Sequence, residues 1–309
     1  MTRRNYLRTA NLLFNQPLMV TPEMLDLGVR WANQAMQLNI VNVGPAGERM
    51  FHDDDDAAPD PREQPHVATG VAVVPVHGIL VSRSTQLDFC ETMTSYEQIR
   101  MDLRAALNDP SVYRIALDID SYGGHATGAF ELADEIRQMR LQKPITALVN
   151  HNAYSAAYLI ASSCTEVVVS KSGGVGSIGV IASHLDRSQL NEKMGITITT
   201  VYAGAHKNDG TPHAPLTDQA LAAMQAGVNE AYAMFTEAVA AGRNLSAQAV
   251  IETQAATYRG EKGLALGLVD RIATAQDALD GLVADVRASR APSQSIALRA
   301  KAADLQAQI

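Results

Sequence analysis

The feature that most constrains the fold is an alternation of apolar, β-branched runs with segments of helical periodicity. The runs predict buried strands over 71–76, 113–119, 145–149, 166–169 and 196–202. Helical spacing or capping signals predict helices over 95–107, 130–139, 155–163, 185–194 and 217–242. Strands that alternate with helices form a largely parallel sheet covered by helices. The sequence therefore predicts an α/β fold with right-handed crossovers.

Segments of different character flank this region. Residues 1–50 are expected to form a small helical appendage, with Thr21 as a helix cap and Pro22 in the first turn. Residues 51–66 contain four consecutive aspartates and several prolines, which indicates a solvated linker rather than an ion site. The main domain is expected over 67–275. Residues 276–309 are expected to be a helical or disordered tail.

Composition narrows the function classes. The 309-residue chain carries a net charge of −8, so it is not a general nucleic-acid binder. Its two cysteines cannot build a disulfide framework and fit a reducing compartment. Neither a signal-peptide core nor a run of about 18 apolar residues occurs, so we expect a soluble, intracellular protein without a membrane partner.

Four loops that follow predicted strands carry candidate chemistry, since function collects at the carboxyl ends of strands. Gly123 and Gly124 leave amide groups bare for an anion, or they merely form a turn. Ser155 begins an apolar helix between small residues, as a nucleophile or as a helix cap.

The other two loops supply polar partners. Ser177 lies in a glycine-rich loop and either contacts a neighbouring catalytic group or bonds its own turn. Lys207 lies after the 196–202 strand, at the predicted edge of the other loops, or is a solvated charge. A serine needs a base to become a nucleophile, and a desolvated lysine can be that base. A Gly-Gly loop can then donate hydrogen bonds to the oxyanion.

The combined motifs resemble the signal peptide peptidase A family over roughly 71–273. They are Gly123-Gly124, Ala-Tyr-Ser-Ala-Ala-Tyr around Ser155, Gly176-Ser177-Ile178-Gly179-Val180-Ile181, Gly204-Ala205-His206-Lys207, Gly242-Arg243, Tyr258-Arg259-Gly260 and Gly267-Leu268-Val269-Asp270.

This resemblance implies a fold like the Clp protease subunit and crotonase, and a serine–lysine dyad without metal or cofactor. The 67–275 region would be a serine peptidase domain. Ser155 would be the nucleophile and Lys207 the general base. The amides of Gly123, Gly124 and Ala156 would form the oxyanion hole, and Ser177 would orient the lysine.

Two departures from the family pattern occur near the site. Tyr122 stands where members commonly have proline, and Ala156 and Ala157 stand where they commonly have glycine. No backbone donor is lost, but the cleft changes shape. The family's membrane anchor is also not expected here.

The opening Asn11-Leu12-Leu13-Phe14-Asn15-Gln16-Pro17-Leu18 resembles tailed-phage head maturation proteases of the same family. That subgroup implies scaffold, capsid or portal proteins as substrates. It also implies a homo-oligomer with a sequestered site, in the host cytoplasm and within the procapsid.

Alternative functions remain open from the residues. They are a soluble bacterial signal-peptide-peptidase-like protease, an acyl-coenzyme A enzyme of the crotonase class, and a non-catalytic capsid assembly protein with a degenerate protease fold. The Ser155 loop lacks the carboxylates that the crotonase chemistry uses. Within the serine hydrolases, His151 or His206 could replace Lys207 as the base.

Overall fold

The computed structural model describes residues 14–35, 66–83 and 93–290. Most of the predicted linker, part of the predicted appendage and the tail beyond Arg290 lie outside the described residues. The predicted domain boundaries therefore stay predictions.

Strands and helices alternate along the described chain as the periodicity predicts. The strands are β1 (Leu18–Val20), β2 (His66–Ala68), β3 (Val71–His77), β4 (Ile79–Val81), β5 (Met93–Ser95), β6 (Arg114–Ser121), β7 (Gly123–His125), β8 (Ile145–Tyr154), β9 (Glu166–Val169), β10 (Gly174–Gly176), β11 (Thr257–Arg259) and β12 (Arg271–Ile272). The helices are α1 (Pro22–Ala35), α2 (Tyr96–Asn108), α3 (Ala129–Met139), α4 (Ala156–Ser162), α5 (Ser188–Lys193), α6 (Asp218–Arg243), α7 (Ala247–Ile251), α8 (Gly260–Ala265) and α9 (Ala275–Arg290).

The larger sheet has the order β11-β10-β8-β6-β3-β2, and β9 pairs with the first half of β8 and with β12. Strands β3, β6, β8 and β9 run parallel, as do β10 beside β8 and β12 beside β9. Only the outer strands β2 and β11 are antiparallel in this sheet, within the described residues. The α/β fold class with a largely parallel sheet is confirmed.

A smaller sheet has the order β1-β7-β4-β5. It corrects one expectation, because Gly123–His125 forms strand β7 rather than a plain loop. A Cβ on Gly124 would overlap the main chain of Leu80, so β7 can approach β4 this closely only without a side chain there. The Gly-Gly motif is therefore also a packing requirement.

Apolar side chains cover both faces of the larger sheet. One core cluster joins the sheet to α2, α3, α4 and the end of α6. The other face packs against α9, through Ala278, Leu282 and Val286. The predicted tail therefore begins with a helix that belongs to the core, since burying such side chains is the main stabilising contribution to a fold.

Two predictions on the segment after β10 are wrong. The predicted helix over 185–194 is only α5, and the predicted strand over 196–202 has no regular structure. Ile196, Ile198 and Val201 are exposed in the described chain. A β-branched pattern needs a neighbouring strand edge and a covered face, and the described residues of this single chain provide neither.

Helix α6 matches the predicted 217–242 helix within a residue, and Thr217 caps it by accepting a hydrogen bond from the Ala220 amide. The same cap geometry occurs at Thr21, which accepts from the Met24 amide before α1, as predicted. Within the described ranges, none of the helices combines the length and apolarity that crossing a membrane requires.

Candidate active site

Ser155 lies at the sharp junction between β8 and α4. Its backbone has φ 55° and ψ −121°, a conformation that L-residues rarely adopt. The Ser155 amide donates to the Gly176 carbonyl at 2.8 Å, and the Ser155 carbonyl accepts from the Leu159 amide at 3.0 Å. The side chain makes no helix-capping bond, so Ser155 is not a conventional cap.

The Ser155 hydroxyl is buried and unpartnered. The residue is 0% exposed, and Oγ has no hydrogen-bond partner among the described residues. Buried polar atoms in folded proteins are usually paired, because an unmade hydrogen bond costs about 1–3 kcal/mol. A strained backbone and an orphan hydroxyl at one residue favour a reactive role over a structural one.

Gly123 brings the oxyanion loop to Ser155. A Cβ at Gly123 would lie 3.0 Å from Ser155 Cβ and 3.1 Å from the Ala156 nitrogen, and it would overlap the Met19 carbonyl oxygen. The Ala156 amide opens α4, so the predicted nucleophile and two of the predicted oxyanion residues converge. In this structure the Gly123 amide donates to Ser121 Oγ at 3.1 Å.

Two tyrosines form a contact beside this junction. The rings of Tyr122 and Tyr154 lie 5.7 Å apart, and the Asn152 amide group donates to the Tyr122 hydroxyl at 3.2 Å. Burial, followed by the nearby Tyr122, raises the pKa of Tyr154, so its phenol stays protonated. The sequence flagged Tyr122 only as a departure from proline. The structure shows that it packs against Tyr154, the residue directly before Ser155.

Ser177 is brought close to Ser155 through the main chain. It follows Gly176, whose carbonyl accepts from the Ser155 amide. Ser177 is buried, has φ 54°, and its amide donates to the Ala256 carbonyl at 2.9 Å. These bonds fix the position of Ser177 in the site, while its predicted role of orienting the lysine stays a prediction.

Lys207 is not brought to Ser155. It is exposed, in a turn where its amide donates to the Gly204 carbonyl at 3.1 Å. Contrary to expectation, Lys207 does not follow a strand of the sheet, because the preceding 196–202 segment is not a strand. The role of Lys207 as base stays a prediction.

The two alternative histidines do not bond Ser155 either. His151 is exposed on β8, and His206 Nδ1 lies 2.8 Å from Asp209 Oδ2. The hydrogen bond from His206 lowers the pKa of Asp209. Neither histidine bonds Ser155 Oγ in this arrangement, and the same is true of Lys207.

The later motifs of the sequence hold the helices around the site. Arg243 makes two hydrogen bonds to Asp270, at 2.8 and 2.7 Å, and Asp270 also accepts from the Val167 amide. A Cβ on Gly242 would overlap the Ser162 carbonyl. Helix α6 therefore packs directly on α4, the helix that follows Ser155, and the ion pair fastens its end to β9.

With this geometry in hand, the chain can be compared with known proteins. Residues 137–289 match Peptidase family S49, a range that includes Ser155, Ser177 and Lys207. Capsid assembly protease C of Escherichia phage lambda is 35% identical over 298 residues, covering 93% of this chain and 68% of that protein. The chain belongs to peptidase family S49.

A second phage protein is also similar to most of the chain. Head-tail preconnector protein GP5 of Enterobacteria phage P21 is 36% identical over 285 residues, which cover 90% of this chain and 57% of that protein. Among solved structures, a ClpP1 from Listeria monocytogenes matches at 12% identity over 68% of this chain and 94% of that one, with a TM-score of 0.42. The resemblance to the signal peptide peptidase family is confirmed, and the chain is a peptidase by family.

Proposed function

We propose that the chain is a serine endopeptidase in which Ser155 is the nucleophile and Lys207 the general base. The observation that carries the proposal is Ser155 itself, with its strained backbone and its buried, unpartnered hydroxyl beside Gly123 and the Ala156 amide. A nucleophilic role would explain why the fold keeps such a group.

The chemistry would proceed through an acyl-enzyme. Ser155 Oγ attacks the scissile carbonyl while Lys207 Nζ takes its proton, and the oxyanion is stabilised by amide donors of Ala156 and of the Gly123–Gly124 loop. Lys207 returns the proton to the leaving amine, and water then releases the acyl group by the same steps. The reaction consumes one water and leaves the enzyme unchanged.

Lys207 must approach Ser155 for this step, since it is exposed in the described chain. The neighbouring Ile196, Ile198, Val201 and Tyr202 are exposed as well. An apolar segment of this kind provides a surface that packing can cover, and its burial would desolvate the lysine beside it.

The biological substrate follows from the relatives. The lambda protein is named a capsid assembly protease and the P21 protein a head-tail preconnector. We therefore propose that this chain cleaves scaffold and capsid proteins during phage head maturation, inside the procapsid in the host cytoplasm. A soluble bacterial relative of the signal peptide peptidases would instead cleave leftover signal peptides.

Labelling with a fluorophosphonate probe tests the enzyme assignment. The chain should be labelled once, at Ser155, and Ser155→Ala should abolish both labelling and cleavage of the co-expressed scaffold protein, as followed by intact mass. If the Ser155→Ala variant cleaves the scaffold protein as well as the parent does, Ser155 is not the nucleophile. A folded chain that takes no label and cleaves nothing would be the degenerate assembly protein.

A further inference from the structure

Strand β1 is hydrogen-bonded along both of its edges. On one side it pairs antiparallel with β7, in the register Leu18↔His125, Met19↔Gly124 and Val20↔Gly123. On the other side Leu18 exchanges two main-chain bonds with Ile181, at 2.8 and 2.9 Å. The short strand β1, which is distant in sequence, therefore fills a slot between β7 and residues 178–181.

This slot runs past the nucleophile. The Met19 carbonyl oxygen and Ser155 Cβ both lie against the same face of Gly123. Met19 and Leu18 are buried, with Met19 at 0% exposure and in the main core cluster. Strand β1 therefore lies directly beside Ser155, whose hydroxyl is buried.

The segment that leads into β1 also contacts the loop that carries the predicted base. The Asn15 side chain donates to the Gly210 carbonyl at 3.0 Å, and its oxygen lies 3.2 Å from His184 Nδ1. Gly210 is three residues after Lys207 in the sequence. Departure of β1 together with the preceding Asn15 would therefore open the slot and release a contact of the Lys207 turn in one event.

We propose that the slot between β7 and residues 178–181 is the binding site for an extended polypeptide substrate, and that β1 occupies it as an internal pseudosubstrate. The proposal rests on the proposed function of Ser155. A peptide enters by displacing β1 and taking over its main-chain bonds, and the resting enzyme is masked until then.

The bonding pattern explains both affinity and selectivity. An added strand gains affinity from main-chain hydrogen bonds, which any extended sequence can make, and selectivity from the pockets for its side chains. Leu18 and Met19 fill buried positions. The slot therefore selects substrates with two successive apolar residues where Leu18 and Met19 now lie.

A reversible cross-link tests this masking. Leu18 and Ile181 exchange both main-chain bonds, a pairing that sets their Cα atoms about 5.5 Å apart, within disulfide range. The variant is Leu18→Cys with Ile181→Cys in a Cys90→Ser background. Burial raises the pKa of the Cys164 thiol to about 12, so this remaining thiol does not compete.

Fluorophosphonate labelling of Ser155 and cleavage of a peptide are measured in the oxidised and reduced forms, with cross-linking followed by intact mass. We expect both rates to fall at least about tenfold on oxidation and to recover on reduction. The matched control is Leu18→Cys alone in the same background, which should respond to neither reagent.

Two other outcomes distinguish a failure of the masking proposal from a failure of the proposed function. If the fully cross-linked form is labelled and cleaves as fast as the reduced form, β1 is a permanent wall and substrate binds elsewhere. If the folded protein takes no label in either form and in the control, Ser155 is not a nucleophile, and the proposed function fails together with the masking.

Discussion

At the scale of the residue, Ser155 combines two features that cost stability: a positive φ, and a buried hydroxyl without a hydrogen-bond partner among the described residues. Its place after a buried strand and between small residues identified it as a candidate. Its positive φ and its orphan hydroxyl could not be predicted, because serine has no preference for that conformation and burial depends on β1, which is far away in sequence. Function, rather than stability, explains why such a residue is kept.

The orphan hydroxyl gives a stability prediction. Ser155→Ala should raise the free energy of unfolding by about 1 kcal/mol, because it removes a buried oxygen that lacks a partner. Ser163 is the matched control: it is equally buried at the other end of α4, but its hydroxyl donates to the Leu159 carbonyl at 2.9 Å. Ser163→Ala should instead lower that free energy by a similar amount. Urea unfolding measures both, and a destabilised Ser155→Ala would mean that its hydroxyl has a structural partner.

The choice of base gives a kinetic prediction. Lys207→Ala should lower kcat/KM by a factor on the order of 10⁴, and Ser155→Ala with Lys207→Ala should be no worse than either change alone, because a dyad acts as one unit. His151→Ala and His206→Ala should stay within about tenfold of the parent, since neither histidine bonds Ser155. Peptide cleavage by the five variants, three of the dyad and two of the histidines, decides it. If a histidine variant is the inactive one while Lys207→Ala is active, the base is misassigned.

At the scale of the element, periodicity predicted the strands and helices that pack against other parts of the same chain. The strands β3, β6 and β9 and the helices α2, α3 and α6 were predicted to within two residues, because each buries a face against the sheet. The start of β8 was predicted correctly, but the strand continues five residues further, to Tyr154. Strand β1 and β7 were missed, since three residues carry no period and their pairing is decided by a distant partner. The 196–202 strand was predicted wrongly because its pattern has no edge to join.

The ion pair between Arg243 and Asp270, which links α6 to β9, gives a prediction on how stability depends on pH. Burial alone would raise the pKa of Asp270, but the hydrogen bonds from Arg243 and the Val167 amide outweigh it and lower that pKa. A lowered folded-state pKa stabilises the fold above the unfolded value of about 3.9, and this contribution is lost as the pH falls through the folded pKa.

Asp270→Asn should therefore lower the free energy of unfolding by about 1–2 kcal/mol at pH 7, a modest figure because the carboxylate is partly exposed. The gap to the parent should narrow as the pH falls below about 4. Urea unfolding at pH 7 and pH 3.5 measures it. A gap that is the same at both values would show that the carboxylate charge contributes nothing.

At the scale of the whole molecule, the described chain leaves apolar surface uncovered near the predicted base. Val201 is 93% exposed, and Tyr202 beside it and Leu221 near the start of α6 are exposed as well. Single apolar residues on a surface are ordinary, but several on adjoining segments mark an interface. A partner that covers this interface would account for two features of the described chain. The strand-like 196–202 segment has no neighbouring strand, and the predicted base does not contact the predicted nucleophile.

We therefore predict a homo-oligomer in which the 196–202 segment is covered. Val201→Asp should weaken assembly at least about 30-fold, because a charge at a covered apolar contact costs 2 kcal/mol or more. Leu141→Asp is the control: Leu141 is 78% exposed but lies in the turn between α3 and β8, far along the chain from this segment. Light scattering at micromolar concentration measures assembly, and peptide cleavage should fall in parallel for Val201→Asp alone, because the uncovered segment leaves Lys207 in water. A parent that is monomeric and fully active would show that the base reaches Ser155 within one chain.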